Sequence, residues 1–245
     1  MSLENKENDL ARAASLLRFS GALLIPLYLL IVTALYGAFL YAPTERVMGE
    51  VQRIFYFHVA AAMNSFLAFF LVFLGGMAYL ITRKPIWDTL AAASVEAGVV
   101  LTVIVLTTGP IWARPVWNTW FPWGDPRVMT ELVLLLIFIA YLILRSNLPE
   151  GEKKYKFCAV FGIIGFLDVP IVYFSIHLFR TIHPVVITAS EVKLEARMLH
   201  AWLVAIIAFV VFLVLLVSFR MSMRIHGRVS QEIAQEIQDQ GRARG

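Results

Sequence analysis

The sequence predicts an all-α integral membrane bundle of six transmembrane helices, with both termini in the cytoplasm and a tryptophan-rich outer loop between helices 3 and 4. Three observations predict it. Of the 245 residues 60% are hydrophobic and only 16% charged, too apolar a balance for an ordinary soluble domain. The apolar residues fall in unbroken runs that reach the roughly 20 residues a helix needs to cross hydrocarbon. Lysine and arginine are divided unequally between the two sides that such helices create, and that bias sets orientation.

Taken in order, residues 1–18 form a polar cytoplasmic segment. Its acidic start, MSLENKEND, lacks the basic-then-apolar layout of a cleaved signal peptide, so the first span is expected to serve as an uncleaved anchor. Spans one and two, 19–41 and 54–82, contain no Asp, Glu, Lys or Arg. Span three, about 89–111, contains Glu96, and span four, 128–144, carries Glu131 in its outer turn. Span five, 157–179, carries Asp168, and span six, 198–219, has only His200 as a basic or acidic group. Short loops imply antiparallel neighbours. Residues 19–220 thus make one membrane domain, and 221–245 a cytoplasmic tail. In that tail Ile225, Val229, Ile233 and Ile237, spaced by four, predict a short amphipathic helix. Placing both termini on one side gives that side fourteen of the 21 lysines and arginines, which makes it cytoplasmic. The single cysteine, Cys158, excludes an intramolecular disulfide and is read as a helix-packing residue.

The stretch GPIWARPVWNTWFPWGDPR, at 109–127, holds four of the six tryptophans: Trp112, Trp117, Trp120 and Trp123. The last three recur every third residue, which predicts one side of a short helical stretch, kept short by Pro115 and Pro122. An aromatic belt would scatter indoles over every membrane boundary. Their concentration in one outer loop instead predicts a flat surface for a large planar hydrophobic ligand. Arg114 and Arg127 bracket that surface, and a guanidinium can hold a carboxylate through two parallel hydrogen bonds, so the ligand is expected to carry acidic substituents.

Two histidines share the outer side. His58 lies about 6 Å into span two at the helical rise per residue, and His183 lies just beyond span five. From different loops they could ligate one iron on opposite faces, since imidazole is a common axial ligand of iron porphyrins. His177 and His200 compete for the same role from the ends of spans five and six, whereas His226 is cytoplasmic.

These residues carry a resemblance. TGPIWARPVWNTWFPWGDPR, the Asp-x-Arg-x-x-Thr-Glu-Leu pattern from Asp125 to Leu132, IFYFHVAAA and DVPIVYFSIHLFRTIHP together resemble the CcmC family of cytochrome c maturation proteins, within the wider haem-handling group named for its WWD domain. The resemblance spans roughly residues 19–220, with the WWD segment at 109–131. It implies a multi-pass protein of the bacterial inner membrane that holds haem b (iron protoporphyrin IX) edge-on against the tryptophans at the periplasmic face. His58 and His183 would be the axial metal ligands, with Asp125 part of the haem-binding segment. It further implies delivery to the periplasmic haem chaperone CcmE, in company with the ABC-type subunits CcmA and CcmB and the small membrane protein CcmD. Ala113 and Asn118 replace glycines frequent in the family, and Phe121 a usual tryptophan; Asp125 stands one residue further from the paired aromatics. No covalent chemistry on the chain is required, so no enzyme is expected.

A competing expectation starts from Glu96 and Asp168. An ionised acid near the middle of a membrane helix costs about 2.5 to 3.5 kcal/mol on insertion scales, so both need compensation. For Asp168 a hydrogen bond at a Pro170 kink would serve. The functional alternative is a proton-coupled secondary transporter with both acids as coupling sites.

Overall fold

A computed structural model describes residues 3–179, 181–183 and 194–244. Among these residues the chain is helical without strands: α1 (Leu3–Ala22), α2 (Leu24–Tyr36), α3 (Ile54–Thr82), α4 (Pro85–Trp117), α5 (Pro126–Asn147), α6 (Glu152–Phe166), α7 (Asp168–Leu178) and α8 (Ala196–Arg244). Six stretches among the described residues are long and apolar enough to cross a membrane: Leu3–Tyr41, Glu50–Thr82, Pro85–Trp117, Pro126–Asn147, Glu152–Ile176 and Ala196–Gln240.

Small residues bring α3 and α4 together, as expected where lipid offers no hydrophobic drive for helix association. Gly98 is the sharpest case, because a Cβ there would lie 2.5 Å from the Phe69 ring. Phe69 in turn stacks on Phe138 of α5, with ring centroids 3.8 Å apart. Cys158 is buried in the same core, in agreement with a packing role.

At the opposite end from the tryptophans, Arg145 in the last turn of α5 grips Asp88 in the first turn of α4. Nη1 donates to Oδ1 at 2.8 Å and Nη2 to Oδ2 at 2.6 Å, with both side chains buried. Asp88→Asn would leave the guanidinium buried without its counter-ion, a loss worth about 3–5 kcal/mol for buried pairs. The expected result is a clear fall in the apparent melting temperature of the detergent-solubilised protein; an unchanged value would show that the pair does not hold α4 to α5.

Three elements differ from the sequence reading. The tail is no separate short helix: α8 runs unbroken to Arg244, because Ile225 and Val229 are buried against α1 and carry the helix onward. Residues before position 19 are likewise helical, and α1 is tied along α8 by Lys6 to Glu236 at 2.5 Å, Arg228 to Asp9 at 2.7 Å, and the Ser222 hydroxyl to the Ala13 carbonyl. Helix α4 continues past the expected end near 111, through Pro110 and Pro115, to Trp117. Each proline removes one donor, yet its fixed φ suits a helix. The stop comes at Asn118, whose left-handed conformation (φ 55°) is one that asparagine tolerates and that closes helices.

Glu96 is also placed differently. It is not a lone acid in mid-membrane but is paired with Arg220 and Arg224 of α8. Arg220 donates Nε to Oε2 and Nη2 to Oε1 at 2.8 Å, and Arg224 donates Nη2 to Oε1 at 2.5 Å. Compensation by two guanidiniums turns it into a structural clasp between α4 and α8. Asp168 opens α7 after the break at Leu167, where Pro170 cannot donate to the turn before it. The expected kink hydrogen bond is missing for its Oδ2, which is buried without a partner.

Candidate functional site

A cavity of about 880 Å³ opens at the end of the bundle where α3 begins and α4 ends, within the range of sites that enclose drug-sized ligands. His58 of α3, Trp112 and Trp117 of α4, Trp120 of the following loop, Arg127 of α5 and His183 all line it. Trp120 is 61% exposed while lining the cavity, so it stands at the mouth.

The indoles do not form one flat shelf. Trp112 and Trp117 sit on the helical end of α4 and meet edge to face, 4.6 Å apart at 88°. Trp117 then meets the His183 ring at 4.9 Å and 70°. Because the helix stops at Asn118, the three-residue spacing of Trp117, Trp120 and Trp123 has no helical turn to align it. Trp123 lies off the cavity wall, 70% exposed and packed on Phe121 at 4.5 Å. Arg114 is also off the wall. Its Nη1 donates to the Asn118 carbonyl and Oδ1, both at 2.9 Å, which satisfies an orphan acceptor at the helix end.

The two histidines are held in the same way from different sides. The Thr108 hydroxyl lies 2.7 Å from the Ile104 carbonyl, which can only accept, so its proton points there. His58 Nδ1, 2.9 Å from the same hydroxyl, must then be the donor, and the bare lone pair falls on Nε2. His183 Nδ1 lies 3.0 Å from Asp125 Oδ1 and donates to it, again leaving Nε2 free. Neither histidine spends its Nε2 on the protein among the described hydrogen bonds. Burial pulls the His183 pKa below the ordinary imidazole value, with Arg127 acting in the same direction and Asp125 opposing. That shift favours the neutral ring that a metal ligand needs.

Asp125 does not line the cavity but stands behind it. Its side chain caps α5 by accepting from the Arg127 and Val128 amides at 3.0 and 3.3 Å. It also accepts from the Thr181 hydroxyl at 2.6 Å and the Ile182 amide at 3.0 Å. Burial pushes its pKa up, but the Thr181 and Ile182 hydrogen bonds, with His183 and the Val128 amide, bring it below the usual carboxylate range. It is an anion that fixes the start of α5 and the His183 ring together. Arg127 lines the wall with Nη1 donating to the Val172 carbonyl at 2.6 Å and its guanidinium 5.5 Å from the Phe66 ring centre.

Sequence reasoning missed one wall. The segment between α2 and α3 supplies Arg46, Met48 and Gln52 to the cavity. Arg53 organises it, donating to the Ala38 and Ala42 carbonyls that end a π-helical turn at Gly37–Tyr41. Gly49, at φ 63°, makes the turn that returns the chain to α3. An arginine and a glycine just before a span were the only signals available. Of the competing histidines, His200 stacks on Tyr41 and meets its hydroxyl through Nδ1 at 3.2 Å, away from the cavity wall. The His177 side chain lies outside the described residues.

Residues 6–236 match the family described as heme exporter protein C, CcmC. The chain belongs to this family. A CcmC-like mitochondrial cytochrome c biosynthesis protein of Marchantia polymorpha is 28% identical over 166 residues, covering 68% of this chain and 70% of its own length. Heme exporter protein C of Bradyrhizobium diazoefficiens is 28% identical over 183 residues, 75% of this chain and 68% of its own. The protein of the same name in Escherichia coli is 29% identical over 143 residues, 58% of either chain. Membership in the CcmC family, with six membrane-capable helices, makes this a multi-pass protein of the cytochrome c biogenesis class.

With both oxygens of Glu96 taken by α8, a transporter that cycles a proton on that residue loses its first coupling site. Glu96→Gln weakens this clasp without reaching the cavity wall and is expected to leave the visible spectrum of the purified protein unchanged. A changed spectrum in that variant would tie the α4–α8 clasp to the cavity.

Proposed function

We propose that this chain collects haem b in the cavity, between His58 and His183 as axial ligands, and presents it to a periplasmic chaperone of the CcmE type for c-type cytochrome assembly. One observation carries the reading: two imidazoles from separate elements, each with Nδ1 engaged by the protein, line one cavity with Nε2 unspent among the described hydrogen bonds. A porphyrin fits such a space because the walls are largely indole and aliphatic, and Arg127 offers a cation to a propionate. The names of the relatives agree with a haem cargo.

In this arrangement Thr108 and Asp125 keep both rings in the ligating tautomer, as partners behind metal-bound histidines do. Trp112 and Trp117 exclude water from the porphyrin faces, and Trp120 at the mouth leaves an edge that a partner can reach. Trp123, turned outward beside Phe121, is part of the surface that the chaperone meets. The lysine and arginine bias supports a cavity at the periplasmic face of the inner membrane with both termini in the cytoplasm; on this reading α1 and α8 face CcmA, and CcmB and CcmD adjoin the membrane helices.

The test is the visible spectrum of the wild-type chain purified from haem-replete cells. A low-spin band set typical of two axial imidazoles is expected. Colourless protein, or a single-ligand high-spin spectrum, overturns the reading.

A further inference from the structure

At the cavity wall and beside it, α5 and α7 gather an arrangement of charge that ligand binding alone does not use. Glu131 lies one turn beyond Arg127 on α5; it lines the cavity wall, is only 3% exposed, and neither carboxyl oxygen has a hydrogen-bond partner. Asp168 of α7 is near enough to act on it electrostatically and has its own buried, unpartnered oxygen. Arg127, on the same cavity wall, is the cation acting on Glu131, and its guanidinium hydrogen is given to the Val172 carbonyl, not to either acid. Buried polar groups without partners are rare in folded proteins, and intramembrane acids mark functional positions.

The groups facing this cluster are few. Helix α5 supplies Arg127 and Glu131, α7 supplies Asp168 and Tyr173, and α3 brings His58 within electrostatic range of Arg127. His183 and Asp125 approach from beyond α7 and the α5 cap. Helix α6 keeps its charged residues in its first turns, Glu152 to Lys156. One guanidinium thus already stands against two carboxylates, Glu131 and Asp125, before any ligand arrives, while Asp168 adds a further negative group beside Glu131. A propionate on Arg127 makes a third. An ionised carboxylate out of water, with neither cation nor hydrogen bond, costs several kcal/mol in practice, and such groups neutralise instead.

We propose that Glu131 and Asp168 form a proton-binding site linked to cargo: the pair takes one proton from solvent as a haem propionate engages Arg127, and returns it as the haem leaves. The proposal rests on the haem reading above. By linkage, a proton taken up on binding means that haem binds more weakly as pH rises, and that alkalinity favours release.

The experiment titrates the full-length, detergent-purified chain with haemin in weakly buffered solution containing a pH-indicator dye, with the Soret band read on the same sample. Wild type is expected to take up about one proton per haem more than the Glu131→Gln/Asp168→Asn double variant. Ligation at the iron contributes equally to both and cancels in the difference. With haemin dimethyl ester, which cannot present a carboxylate, wild type is expected to lose this excess. Equal uptake by wild type and double variant overturns the proposal, as does undiminished uptake with the ester. The ester arm needs only wild-type protein, so a variant that fails to fold leaves the proposal open to refutation. Wild type that develops no two-imidazole Soret band brings down the haem reading and this inference with it; a normal band without excess uptake brings down the inference alone.

Discussion

His183→Ala and His58→Ala are each expected to leave the purified chain without the six-coordinate haem spectrum that the proposed axial pair predicts. The expected loss of haem affinity is at least the roughly 10–100-fold that follows removal of groups which merely orient metal ligands, since here the ligand itself goes. The two rings reach the cavity from α3 and from beyond α7, and Trp117 buttresses His183 at 4.9 Å, so neither neighbour can move across to replace the other. Glycine at either position leaves a gap that added imidazole can fill. His183→Gly is therefore expected to regain the low-spin bands with millimolar imidazole, while His200→Ala keeps them throughout. Wild-type haem content in both alanine variants would remove the axial pair.

Asp125→Ala is expected to lower haem affinity by about 10–100-fold without touching the cavity wall. This carboxylate holds His183 Nδ1, the Thr181 hydroxyl, the Ile182 amide and the first amides of α5. Alanine releases all of them, and loss of the helix cap adds about 1 kcal/mol of destabilisation. Asp125→Asn is the milder change. Asparagine caps helices as well as aspartate and its oxygen can still accept from Nδ1, but the negative charge beside His183 is gone and its NH2 meets the Ile182 amide donor where Oδ2 accepted. The expected order of haem affinity and of melting temperature is wild type, then asparagine, then alanine. Haem titrations followed at the Soret band, with thermal melts alongside, distinguish these outcomes; unaltered affinity in the alanine variant would show that His183 needs no orienting anion.

His58, Trp112, Trp117, Trp120, Arg127 and His183 were all legible as members of one site, because position relative to a span tells which side of the membrane a residue is on. Legibility stopped where direction mattered. Trp123 and Arg114 share the same short motif, yet one turns outward and the other closes the end of α4. A spacing of three aligns residues only while the chain stays helical, and Asn118 ends the helix between Trp117 and Trp120. Asp125 stood in the motif without an evident task, since His183 is 58 positions away. Glu96 looked like an unpaired membrane acid for a similar reason: Arg220 and Arg224 lie more than a hundred positions further along.

The number of membrane-capable helices, the charge asymmetry across them and the gathering of indoles near one boundary are written along the chain in one dimension, because hydrocarbon thickness and charge bias act on each stretch separately. The hydrogen bonds from His58 to Thr108 and from His183 to Asp125, the wall contributed by residues 43–52, and the burial of Glu131 beside Arg127 exist only after packing. They depend on the angles at which helices meet and on which rotamers those contacts leave open, and no local pattern of residues carries that information.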